Sequence, residues 1–149
     1  MSAYRTIVVG TDGSETSLRA VDRAAAVAVD SDAELVIVCA YTPATREDTA
    51  AAEDVLKDEA YLVVGWTPAE ETLRTAEERA VAAGARKIRR VAVDGPPVDV
   101  LRQAVVDHGA DLLVVGNKGL NTLSGRILGS VPSEVARRSG VDVLIVHTV

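Results

Sequence analysis

Short apolar runs rich in Val, Leu and Ile alternate with longer Ala-rich amphipathic segments along the chain. Arg5 to Gly10, Glu34 to Tyr41, Ile88 to Val93, Leu112 to Val115 and Val143 to His147 read as five strands. The stretch after Ser14 places Leu18, Val21, Ala25 and Ala28 on one helical face, and Ser14 is placed to cap it. Pro68 suits the first turn of a further helix, which then runs from Glu70 to Ala83 and stops at Gly84. Val98 to His108 predicts another, capped by Gly109, and Val131 to Ser139 is amphipathic. Ala50 to Glu59 favours helix by propensity. For Tyr61 to Val64 three states stay open: continued helix, a short extended piece, or part of a mobile lid.

Strand and helix alternate, which predicts an α/β fold: a doubly wound parallel sheet with helices on both faces and right-handed crossovers. The length of 149 residues fits a single domain spanning 1–149. Hydrophobic residues make up 48% of the chain, yet Phe is absent, so the core falls to Val, Leu, Ile and Ala. That is the composition of strands buried on both faces. The formal charge of −6 argues against nucleic-acid or anionic-membrane binding. No apolar run is long enough to cross a membrane, and no signal-peptide pattern precedes Arg5. Cys39 has no second cysteine to pair with, which suits a reducing cytoplasm.

Candidate chemistry concentrates at two turns. The passage out of the fourth strand reads Val115-Gly116-Asn117-Lys118-Gly119, then nine residues, then Gly129-Ser130-Val131. Glycines let a ligand approach the backbone closely, and the following helix start offers unpaired N–H groups and a positive dipole end. Together they point to an anion site, most often for phosphate. Ser130 serves as N-cap and as a hydroxyl donor, while Lys118 and Arg126 are either phosphate-neutralising or ordinary solvated cations. The first turn, Gly10-Thr11-Asp12-Gly13-Ser14, offers a carboxylate that either shapes an Asx turn or accepts from a ribose hydroxyl or base amine.

The spacing Gly, two residues, Gly, nine residues, Gly-Ser, with the start Ile7-Val8-Val9-Gly10-Thr11-Asp12-Gly13-Ser14 and the ending Val141-Asp142-Val143-Leu144-Ile145-Val146, resembles the universal stress protein family. The resemblance spans the chain except roughly residues 43–67, and is greatest to actinobacterial members, some of which bind cyclic AMP. It implies five strands in the order 3-2-1-4-5, so that strands one and four lie side by side with connections leaving on opposite faces. Ligands bind beyond the carboxyl ends of strands at such a point. The implied ligand is ATP, with Mg accompanying it, or cyclic AMP. The implied ligand-binding residues are Gly10, Thr11, Asp12, Ala40, Val115, Gly116, Lys118, Gly119, Arg126, Gly129, Ser130 and Val131. Ala40 would read adenine through its backbone, although core packing explains its side chain equally well. Pro132 stands where the family pattern usually has a small residue with an N–H. Proline lacks that donor, which favours a ligand with fewer phosphate charges. The resemblance also implies a homodimer through the last strand, Val143 to His147.

Catalytic patterns are absent from the sequence. There is no Gly-x-Ser-x-Gly elbow, Walker A loop or dinucleotide fingerprint. His108 and His147 lack metal-spaced neighbours, and Cys39 suits an inert core position. Asp107, Asp111 and Asp142 read as turn residues, and Arg137 and Arg138 as dipole-complementing residues of a last helical turn. Glu70, Glu71, Arg74, Glu77, Glu78 and Arg79 read as a solvated helix face with ion pairs at helical spacing. The expected function is an adenine-nucleotide-binding stress or signalling protein without efficient catalysis. The alternatives are a slow ATP hydrolase, with Asp12 positioning water or metal, and a dimeric interaction module with a vestigial pocket.

Overall fold

The computed structural model describes residues 2–42, 63–64, 66–117 and 137–148. In chain order the elements are β1 (Thr6–Gly10), α1 (Glu15–Ser31), β2 (Glu34–Thr42), β3 (Val63–Val64), α2 (Trp66–Ala82), β4 (Ile88–Asp94), α3 (Pro97–His108), β5 (Leu112–Gly116) and β6 (Asp142–Val146). The five principal strands are all parallel, in the order β4-β2-β1-β5-β6. Without the short β3, this is the 3-2-1-4-5 order of the doubly wound sheet. Val63 and Val64 of β3 pair in parallel with Tyr41 and Thr42, so the extended alternative holds for these two residues, while Tyr61 and Leu62 lie outside the described residues.

Side chains alternate across the sheet with the period of two that strands impose. Ile7, Val9, Leu35, Ile37, Leu112 and Val114 face one core, closed by Leu18, Val21, Ala24 and Ala25 of α1 and Leu73, Ala76 and Ala80 of α2. Val8, Val36, Val38, Leu113 and Val115 face the other, closed by Val100, Leu101, Ala104 and Val105 of α3. Alanines let the helices lie close to the strands, and the branched residues supply the buried area. A fully buried Val or Leu contributes about 1.5–3 kcal/mol. The helix connecting β1 to β2 covers the first face, and the helix between β4 and β5 covers the second. The chain therefore reverses its winding where β1 lies beside β5.

Aspartates read from the sequence as turn residues hold the start of the chain. The Asp111 carboxylate accepts from the backbone N–H of Arg5 at 3.0 Å and of Thr6 at 3.1 Å. Asp142 accepts from the Tyr4 hydroxyl at 2.9 Å. The charges of α2 also act differently from the expectation. Arg79 reaches Asp22 and Glu15 of α1, and Glu77 pairs with Arg90 of β4 at 2.8 Å. These pairs join elements instead of successive turns of one helix. Helix α2 begins at Trp66, earlier than expected, because Pro68 falls in its first turn, where a missing N–H costs little. His147 lies just past β6, not within it.

Candidate functional site

The carboxyl ends of β1 and β5 are neighbours, in register through Val9 and Val114. At the end of β1, Thr11 continues the ladder by donating its N–H to Val38 O at 3.0 Å, and its side chain is buried. Ser17 gives its one hydroxyl proton to Ser14 O at 2.9 Å. In the 2.8 Å contact between them, Thr11 must therefore be the donor and Ser17 Oγ the acceptor. Thr11 Oγ1 in turn accepts from Gly13 N at 3.1 Å. Gly13 has φ 85°, in the left-handed region, and a side chain there would meet Thr72 Oγ1 at 3.0 Å. The sequence thus needs glycine at this point both for conformation and for space.

Asp12 Oδ1 accepts from Ser14 N at 2.9 Å, which is the Asx-turn arrangement. Ser14 caps α1 through Ser17 N at 3.2 Å, as its place before the amphipathic run predicts. The turn holds itself together, so Asp12 is fixed at the mouth of the sheet before any ligand arrives. Cys39, near the end of β2, registers the charge there. Burial pushes its thiol up to about 12, and the Asp12 and Glu70 carboxylates add to the shift. Two acceptor carboxylates, from the β1–α1 turn and the first turns of α2, therefore act on the end of β2. Carboxylates of this kind accept from sugar hydroxyls and exocyclic amines. Ala40, next along β2, is half-buried and packs toward the α3 side.

At the end of β5, Val115 is buried and Gly116 half-buried. Asn117 extends the β5–β6 ladder, donating its N–H to Val146 O at 2.9 Å. Its side-chain Oδ1 accepts from Thr148 N at 2.8 Å and from Thr148 Oγ1 at 2.9 Å. Arg19 of α1 donates to Thr148 O at 2.8 Å.

The structure thus gathers Gly10, Thr11, Asp12, Ala40, Val115 and Gly116 at one end of the sheet. Lys118, Gly119, Arg126, Gly129, Ser130 and Val131 lie outside the described residues, as does Pro132. A separate cavity, lined by Ala28, Val29, Asp32, Ala33, Gly84, Ala85, Arg86 and Lys87, sits at the opposite end of the strands and includes none of the predicted site residues. Sequence reasoning missed Glu70, whose charge looks like that of any solvated helix residue. It also missed Asn117, which lies within the glycine motif as a residue between its glycines, and Thr148, which carries no motif. Among the described residues, no group of three or more His, Cys, Asp or Glu side chains is placed to hold a metal ion. Nor is any helix among them long and apolar enough to cross a membrane.

The universal stress protein family profile matches residues 3–147. Universal stress protein Rv1636 of Mycobacterium tuberculosis is 55% identical over 148 residues, covering 99% of each chain. A universal stress protein crystallised in complex with cAMP superposes with a TM-score of 0.79 at 51% identity, over 99% of this chain and 100% of that one. The universal stress protein from Archaeoglobus fulgidus in complex with dAMP has the same fold, with a TM-score of 0.70 at 20% identity over 95% of this chain and 97% of that one.

Proposed function

The chain belongs to the universal stress protein family, and on that premise we propose that it is an adenine-nucleotide-binding protein whose ligand is cyclic AMP, ATP or both. The observation that carries this reading is the meeting of the Gly10-Thr11-Asp12 turn with the Val115-Gly116 strand end at the point where the sheet reverses its winding. It is supported by 51% identity to a protein crystallised with cAMP.

In this reading Asp12 accepts from the nucleoside, Ala40 lines the base through its backbone, and Gly116 begins the phosphate-binding segment. That segment continues through Lys118, Gly119, Arg126, Gly129, Ser130 and Val131, with Mg entering alongside ATP. One oxygen of Asp12 is committed to Ser14 N, which suits a fixed binding group better than a general base. Binding without efficient catalysis is part of this reading. The site is expected to serve the whole domain of residues 1–149 in a homodimer acting in the cytoplasm.

The test is calorimetric titration with ATP, ADP, AMP and cyclic AMP side by side, with Gly119→Val as control. Binding of at least one nucleotide, lost in a folded Gly119→Val protein, is expected. No heat from any of the four would refute nucleotide binding. Unchanged affinity in the variant would refute the placement of the phosphate segment.

A further inference from the structure

Residues 147–148 do not trail away from the sheet. Thr148 is 2% exposed and is held from three directions. Its N–H and its hydroxyl both donate to Asn117 Oδ1, and its carbonyl accepts from Arg19 on α1. Its methyl group lies beside Gly116, at an ordinary contact distance of 3.5 Å from a Cβ built there, and Thr16 O borders the same spot. Asn117 is equally committed. Its N–H bonds Val146 O, its Oδ1 takes two donors, and its Nδ2 lies 3.1 Å from His147 Nδ1. Tight coupling of this kind exceeds what a strand end requires, since the ladder bond from Asn117 N already closes the β5–β6 pair.

We infer that Asn117 and Thr148 form a positioning pair that fixes the backbone of Gly116 and Asn117 for the nucleotide. The inference rests on the nucleotide-binding reading above. With one acceptor oxygen clamped by two donors and its own N–H bonded to Val146 O, Asn117 is held in place before ligand arrives. A preorganised backbone loses less freedom on binding, so affinity rises without a new contact to the ligand. Arg19 extends the pair to α1, the helix that follows the Asp12 turn. Both halves of the site are therefore referred to one residue, Thr148.

The experiment compares four variants of the full chain, Thr148→Val, Thr148→Ser, Asn117→Ala and the double variant Asn117→Ala/Thr148→Val, by calorimetry with cyclic AMP and ATP, alongside their ligand-free melting. Thr148→Val keeps the shape and removes the hydroxyl, and is expected to weaken binding about three- to tenfold, the scale of one hydrogen bond. Thr148→Ser restores the hydroxyl and should restore the affinity, even if its lost methyl lowers the melting temperature. In an Asn117→Ala background, Thr148→Val should cost nothing further, because its partner is gone. Equal affinity of folded Thr148→Val and the unaltered protein overturns the pair. So does full additivity with Asn117→Ala. If Thr148→Val does not fold, Asn117→Ala alone, altering the half-buried member, carries the test, and unchanged affinity overturns the inference. Failure of the unaltered protein to bind either nucleotide instead refutes the nucleotide reading, and the pair's role falls with it.

Discussion

A Cβ built on Gly10 would lie 3.0 Å from Leu101 Cδ2 and 3.3 Å from its Cδ1, so a methyl group on the last residue of β1 fits only if Leu101 of α3 gives way. Two effects compete in Gly10→Ala. Removing glycine from a strand gains about 0.5–1 kcal/mol, while overpacking a filled core costs about 1–3 kcal/mol. The second is larger, and Leu101 is itself buried. Gly10→Ala should lower the urea midpoint, and adding Leu101→Val should cost less than it does alone. Strict additivity of the two changes would contradict the contact.

Cys39 makes stability fall at high pH. Folding favours its neutral thiol, with burial as the main cause, so its folded value of about 12 exceeds the ordinary 9.0. The contribution is complete below pH 9 and is lost as pH rises toward 12, by about 1.4 kcal/mol per pH unit in that window. Denaturation of the unaltered protein and of Cys39→Ala should therefore converge as pH passes 9. A stability difference that stays constant up to pH 11 would remove the thiol from the account.

In the proposed reading, ligand preference turns on Pro132, which has no N–H to give a phosphate oxygen. A hydrogen bond to a charged group contributes about 1.5–3 kcal/mol, and a triphosphate asks for more such donors than a cyclic monophosphate. Cyclic AMP should bind at least as tightly as ATP, and Pro132→Thr should move the preference toward ATP by about tenfold or more. Thermal shift at matched nucleotide concentrations reads both. A clear ATP preference in the unaltered protein would speak against the missing donor.

β6 ends the described sheet, and its Ile145 is 38% exposed. An open Val-Leu-Ile-Val edge favours further strand pairing, and pairing with its own copy about a two-fold axis closes the assembly. The protein should sediment as a dimer at micromolar concentration, and Ile145→Pro, lacking one N–H, should yield monomer or aggregate. A monomeric unaltered protein would disprove edge pairing.

The strands were legible because their apolar runs are short, Val-rich and bounded by Gly, Asp and Pro. The helices were legible because Leu18, Val21, Ala25 and Ala28 repeat with the helical period. Two-residue β3 has no period to read. Asp111 and Asp142 have the chemistry of turn residues, and nothing local distinguishes a turn from a clamp on a distant N–H. Likewise helical spacing places Arg79 near its own neighbours, but only the packing of α1 on α2 brings in Asp22. In the site, glycines and Asp12 announced themselves because backbone approach and turn geometry restrict residue type. The Asn117–Thr148 pair did not, since its logic lies in a contact 31 residues apart.

The clamp of Asp111 on Thr6 spans 105 residues, and β1, the middle strand of the sheet, needs β5 on that same side. During synthesis the ribosome delivers β1 long before its second neighbour exists. At about 5–20 residues per second the wait is roughly 5–20 s. Through that interval α1, β2, α2 and β4 can assemble against one edge of β1 while the other stays unpaired. The nascent chain therefore carries its central strand, whose Ile7, Val8 and Val9 end fully buried, with one edge unpaired until residue 112 emerges, and this interval is when a chaperone has something to hold.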